Sequence, residues 1–285
     1  MAVPVRYQKV GRLAIVTLVS PKDLNALQPE TLEVLSRYMN RIEADDEVRV
    51  VVLQGAGRSF SAGYSLRAWS DRFEMTTKVA RWDPIKDYRA MARNVSLFMR
   101  LWRCLKPVIV KVRGWCLGGG TDLALCGDLI FASEDAHFGY PPARIWGTPT
   151  TALWVYRLGL EHAKRYLLSG EPIPARRAYE IGLVAEIYPD AKLDAAVDQF
   201  ARKLATVPSN QMALNKLLLN HAFENMGLAT NQLVGTIFDG IARHTPEALK
   251  WERTLMRGVR RALASRDRPF GDYSMRKAST KGLRN

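Results

Sequence analysis

The chain has 285 residues, 47% of them apolar and 25% charged, the balance of an ordinary globular protein long enough to bury a substantial core. No run reaches the ~18 consecutive apolar residues of a transmembrane helix, and Arg6, Lys9 and Arg12 interrupt any signal-peptide core, so a cytoplasmic protein without membrane attachment is expected. The net charge of +14 invites a nucleic-acid reading, but the basic residues are spread along the chain without an aromatic-interleaved stripe or a recognisable motif, so no nucleic-acid partner is expected.

VRYQKV and RLAIVTL, joined at Gly11, read as a hairpin. PKDLNALQPE is turn-rich. Pro29 then takes a helix's first position, and Leu32, Leu35, Met39 and Ile42 recur at helical spacing. Val48 to Leu53 is an unbroken apolar run of strand length, the pattern of a central strand covered on both faces. Residues 64–86 are polar and read as a loop or irregular helix. A second amphipathic helix is predicted from Asp87 to Leu105, carried by Met91, Val95, Phe98 and Leu101 or Trp102 and stopped before Pro107.

VIVKV predicts a strand, residues 119–127 a short helix, LIFAS a strand, residues 151–168 and 175–182 helices, and LVAEIY a strand. Beyond TVPSNQ the pattern is helical only. Alternating strands and helices followed by helices alone argue an α/β core over 1–205 and a helical region over 206–285. Cys104, Cys116 and Cys126 are odd in number, sit among apolar neighbours and lack ligand spacing, so buried reduced thiols are expected. The four histidines are too far apart for a local metal motif, and no metal is expected.

The most informative stretch is GWCLGGGTDL at 114–123. Glycine weakens strands and helices alike, yet three follow a strand where a helix should begin. Such a turn presents backbone N–H groups at the positive end of a helix and lets a ligand come close to them. GAGRSFSAGYSL, with Gly55, Gly57 and Gly63, stands in the same relation to the strand VVVLQ. Two such loops, each offering one N–H, would make an oxyanion hole. Phe60 occupies the third position of GxGxxG, and neither loop has the Walker spacing, which argues against a phosphate loop. Ser59, Ser61 and Ser65 lie nearby, but GxSxG is missing and no triad is legible.

With SPKDLNAL at 20–27, KPVIVKVRGWCLGGGTDLALCGD at 106–128, AHFGYPP at 136–142 and SGEPIPARRAYEIGLVAEI at 169–187, these loops resemble the crotonase superfamily, the enoyl-CoA hydratase/isomerase family. The resemblance implies a crotonase-like spiral of strand-strand-helix units with an all-helical C-terminal trimerisation region. It implies an acyl-CoA thioester substrate, coenzyme A present only as part of that substrate, and a homotrimer or a hexamer made of two trimers. Matched motif to motif, the amides of Tyr64 and Gly119 would hold the thioester oxygen. Ser61, Ala62, Gly63, Ser65, Leu66, Arg67, Gly118 and Gly120 would line the substrate around them, Arg67 near a CoA phosphate. Asp122 stands where the family's first glutamate is expected. The second glutamate is missing: FGYPPARIWG places Pro142 there, with Tyr140, Arg144 and Trp146 around it as candidate pocket residues. Asp71 and Glu74, beyond the first amide, are candidates to enter the site on loop closure, and RDRPF at 266–270 resembles the segment that approaches a neighbour's CoA. Asp128 is expected to bond backbone at a helix–strand junction.

One carboxylate can shuttle one proton, which suffices for double-bond isomerisation and supports two-acid hydration less well. The reading is therefore an enoyl-CoA hydratase or isomerase acting through an enolate. Thioester hydrolysis, decarboxylation and acyl-CoA binding without turnover remain the alternatives.

Overall fold

A computed structural model describes residues 4–70 and 82–273. Strands β1 (Val5–Val10) and β2 (Leu13–Leu18) form the expected antiparallel hairpin, turning at Gly11 with φ 60°. Helix α1 (Pro29–Glu43) leads to β3 (Val50–Gly55), and α2 (Leu66–Ser70) to α3 (Pro84–Arg103). Then come β4 (Val108–Val112), β5 (Trp115–Leu117), α4 (Gly119–Leu125), β6 (Leu129–Ser133) and β7 (His137–Gly139). The chain continues through α5 (Leu153–Leu158), α6 (Leu160–Ser169), β8 (Ile173–Pro174), α7 (Ala175–Glu180), β9 (Glu186–Tyr188) and α8 (Asp190–Leu204). It closes with α9 (Ser209–Asn225), α10 (Leu228–Arg243), α11 (Pro246–Leu255) and α12 (Val259–Asp267). Among the described residues no helix is long and apolar enough to cross a membrane.

The main sheet runs β1-β2-β3-β4-β6-β9, parallel after the hairpin. Alternation along β3 and β4 explains why these strands read as unbroken apolar runs. Val51, Leu53, Val108, Val110 and Val112 join the large core that includes residues of α1, α3 and α4. Val50, Val52 and Ile109 face the other way and pack with Leu193, Val197 and Ala201 of α8. A second sheet, β5-β7-β8, stands apart from the first. Its strands of two or three residues are too short to show any alternation in the sequence.

Several boundaries differ from expectation; LVAEIY, for one, is a strand only over Glu186–Tyr188. Helix α3 begins three residues earlier than predicted because Asp83 caps it, accepting the amides of Ile85 and Lys86 at 3.0 Å, with Pro84 in the first turn. It ends at Arg103, leaving Leu105 outside the helix and half-exposed. The helix predicted over 151–168 is two helices, broken by Gly159 at φ 72°. Asp128 does bond backbone, accepting the Val108 amide at 2.6 Å, and it also pairs with Lys216.

Candidate active site

The two glycine loops are sewn together by their neighbours. Asn25 lies in the left-handed region at φ 52°, and its Nδ2 donates to the carbonyls of Ala56 and Ser59, both at 2.8 Å. The Leu27 amide donates to Gly63 O at 2.8 Å, and Leu27 O accepts from the Ser65 amide at 2.9 Å, bracketing Tyr64. Across the loop, the Ser61 amide donates to Trp115 O and Ser61 O accepts from the Leu117 amide, so this segment runs beside β5. The Ser61 hydroxyl donates to Asn25 O at 2.8 Å and accepts the Gly63 amide, which makes it part of this framework instead of a substrate contact. Ala62 likewise donates its amide to Leu24 O.

Glycine is required here by proximity. A Cβ on Gly63, whose φ is +87°, would stand 2.6 Å from Leu117 O and 3.1 Å from the Gly119 nitrogen. One on Gly119 would stand 2.8 Å from the Tyr64 ring, and one on Gly120 would stand 2.8 Å from Ser61. The Gly63–Tyr64 and Gly118–Gly119 peptides therefore abut. Gly119 opens α4, where an N–H has no acceptor within the helix and the dipole is positive. The Gly118 amide donates to Gly139 O at 2.9 Å, and the Thr121 hydroxyl lies between Cys116 O at 2.5 Å and Gly139 O at 3.0 Å, anchoring the second loop.

Asp122, in the first turn of α4, is only 1% exposed. Its Oδ1 accepts a hydrogen bond from Trp154 Nε1 at 3.1 Å. The Thr151 hydroxyl faces the same carboxylate without the geometry of a formed hydrogen bond. Burial pushes the Asp122 pKa up to about 7, against the Trp154 and Thr151 dipoles and with help from the negative charge of Asp239. A carboxyl group titrating there can both take and return a proton near neutral pH. Burial also holds the phenols of Tyr64 and Tyr140 and the thiols of Cys116 and Cys126 in their neutral forms, pushing their pKa values up.

Pro142 faces the glycine loop from a 3-10 turn, Pro141–Arg144: its ring lies 3.6 Å from where a Gly118 Cβ would be. Tyr140 donates its hydroxyl to Thr148 O at 2.7 Å and sets its ring edge-on to Trp154. The Tyr64 ring stacks on Phe98 of α3 at 5.9 Å. Ser65 Oγ accepts the Ala68 amide at the start of α2, and Arg67 is exposed on that helix. Leu66 joins Trp146 in a small separate cluster with Trp251, whose ring stacks on Trp146 at 4.2 Å. Asp71 and Glu74 lie outside the described residues.

One expectation is corrected. The Arg144 guanidinium is not offered to a ligand: its side chain is 2% exposed and is consumed by Asp272 and Asp267. Within its own chain the RDRPF segment sets Phe270 3.8 Å from that guanidinium. Sequence reasoning missed Asn25, Thr151 and Trp154. Only the NAL motif hinted at the first, while Trp154 sits 32 residues from Asp122 in a segment legible merely as helix.

A sequence profile described as enoyl-CoA hydratase/isomerase matches residues 8–246. The crystal structure of an enoyl-CoA hydratase from Mycobacterium smegmatis matches with a TM-score of 0.90 at 39% identity, covering 94% of each chain. A short-chain-enoyl-CoA hydratase of Clostridium acetobutylicum is 33% identical over 221 residues, 76% of this chain and 81% of the relative. A 1,2-epoxyphenylacetyl-CoA isomerase of Escherichia coli is 32% identical over 217 residues, 73% of this chain and 79% of the relative. With the two abutting loops and the strand order above, these matches place the chain in the enoyl-CoA hydratase/isomerase family of crotonase-fold enzymes.

Proposed function

We propose that this enzyme moves a double bond along an enoyl-CoA thioester and does not hydrate it. The observation that carries this reading is the pairing of one buried carboxylate, Asp122, with Pro142 at the place of a second acid. The thioester oxygen sits between the amides of Tyr64 and Gly119, supported by the close approach of their two loops. Asp122 takes a proton from Cα of a 3-enoyl thioester, the two amides hold the resulting dienolate, and the same proton returns at Cγ. No water is consumed. Removing one oxyanion donor typically costs about 2.7–4 kcal/mol of transition-state stabilisation.

Turnover of 3-enoyl-CoA in heavy-oxygen water tests this. The expected product is the 2-enoyl isomer without the heavy label, and a labelled 3-hydroxyacyl-CoA or free acid would replace isomerisation by hydration or hydrolysis. Asp122→Asn is expected to lower kcat by roughly 10²–10⁴-fold while acyl-CoA binding persists. The bond from Trp154 to Asp122 favours a second reading, a non-catalytic acyl-CoA-binding protein whose carboxylate is structural. Calorimetric binding with no turnover across a thioester panel would select it.

We further propose a homotrimer or hexamer. Helix α9 exposes Leu214, Leu217, Leu218 and Leu219, the last two at 70%, and α10 adds Ile237 and Phe238. Apolar surface of this extent marks an interface on a soluble protein. The three buried free thiols agree with the reducing cytoplasm.

A further inference from the structure

Arg144 is one of the most heavily partnered side chains in the molecule, and the mechanism above leaves it unused. Its guanidinium donates to both carboxylate oxygens of Asp272 at 2.6 Å, to Asp267 at 3.3 Å, and through Nε to Ser169 O at 3.2 Å. The Phe270 and Tyr273 rings lie over it at 3.8 and 5.0 Å. Bidentate pairing of this kind fixes direction as well as distance. What it fixes is the segment Asp267–Tyr273, which closes the described chain.

That segment lies behind the glycine loop. The Tyr273 hydroxyl donates to Gly170 O at 2.8 Å, its ring tilts against Trp115 of β5, and the phenol covers Gly139 so closely that a Cβ there would stand 2.3 Å from its oxygen. Gly139 O is the acceptor for the Gly118 amide, with the Thr121 hydroxyl 3.0 Å away. A continuous set of contacts thus runs from Arg144 through Asp272 and Tyr273 to Gly139, then to Gly118 and the amide of Gly119. Arg144 also ends the 3-10 turn whose Pro142 packs on Gly118, so it restrains the loop from two sides. Gly170 completes the arrangement, since a Cβ there would stand 2.7 Å from Arg144 Cγ.

We propose that Arg144 is a positioning residue: with Asp272 and Tyr273 it forms a latch that holds the glycine loop at Gly118–Gly120 in place through Gly139. The geometric claim stands on contacts alone. Its consequence for catalysis rests on the proposed function, in which the Gly119 amide binds the developing negative oxygen. A displacement of about 1 Å at such a donor can cost on the order of 10²-fold in rate.

The test uses full-length Asp272→Asn and Arg144→Lys, with Tyr273→Phe as the conservative variant that keeps the ring and loses the hydroxyl. Hydrogen exchange is followed in peptides covering 116–122 and 267–273, alongside kcat, KM and melting temperature. In Asp272→Asn both peptides are expected to exchange at least severalfold faster, kcat to fall about tenfold or more, and KM to stay near wild type. Tyr273→Phe should show a smaller change in the same direction. Should Arg144→Lys fail to fold, Asp272→Asn decides, because its side chain is 20% exposed and the substitution is isosteric. Faster exchange at 267–273 with none at 116–122 would overturn the latch. Faster exchange at both with no thioester turned over by the wild type would sustain the latch and remove the proposed reaction instead.

Discussion

In the proposed reaction two requirements pull against each other at Asp122. A proton carrier must ionise near working pH, while a carboxyl group that is 1% exposed favours its neutral form. The Trp154 indole N–H offsets part of that cost and leaves the group titrating at about 7. If Asp122 is the base, kcat/KM rises with pH through about 7, and Asp122→Asn flattens the profile; an unchanged profile would separate the carboxyl from the chemistry. Glu252 is raised to about 7 as well, by burial, with its Oε1 unpartnered among the described residues. A carboxyl whose folded pKa lies above its unfolded value contributes stability fully present below the unfolded pKa, about 4.5 here, and lost as pH rises through the folded one. Glu252→Gln should therefore raise the melting temperature at pH 8 and leave it nearly unchanged at pH 4.5, as calorimetry would read. Asp122 was legible in the sequence because it follows a glycine run. Its partners were not, because burial and a hydrogen bond from a distant helix leave no local pattern.

Elements meet at this site through glycines more than through side chains. Gly63 combines a left-handed φ with a carbonyl that would lie 2.6 Å from any Cβ. Gly63→Ala is expected to push the first loop away from Leu117 O and the Gly119 amide, lowering kcat about 10²-fold or more in steady-state assays. An equally active, equally stable variant would mean that the two loops need not touch. Elements with strong periodicity, such as α1, α3 and β3, were legible from spacing alone. The Asp83–Pro84 start of α3 was written in the chain as a cap and a first-turn proline, yet it was hidden inside a polar stretch that reads as loop. Strands β5, β7 and β8 left no trace, because two or three residues cannot display alternation, although β5 and β7 carry the glycine loop and its anchor.

For the whole molecule, the exposed apolar side chains of α9 and α10 are a feature that the single chain leaves unexplained. Leu218→Glu places a charge on a residue that is 70% exposed, so the fold should tolerate it while an apolar interface should not. Light scattering is expected to report a lower molar mass for this variant than for the wild type. Equal masses, or a wild type that is already monomeric, would remove α9 from any assembly. The sequence by itself determined the long periodic elements, the two glycine loops, the family and the presence of an acid at 122, since propensity, spacing and motif are local properties. Tertiary structure alone decided that Ser61 braces the loops, that Trp154 tunes Asp122, and that Arg144 grips the C-terminal segment in place of a ligand. The physical reason is that hydrogen bonds, burial and charge pairing depend on distance in space, and residues 32 or 128 positions apart become neighbours only when the chain has closed on itself.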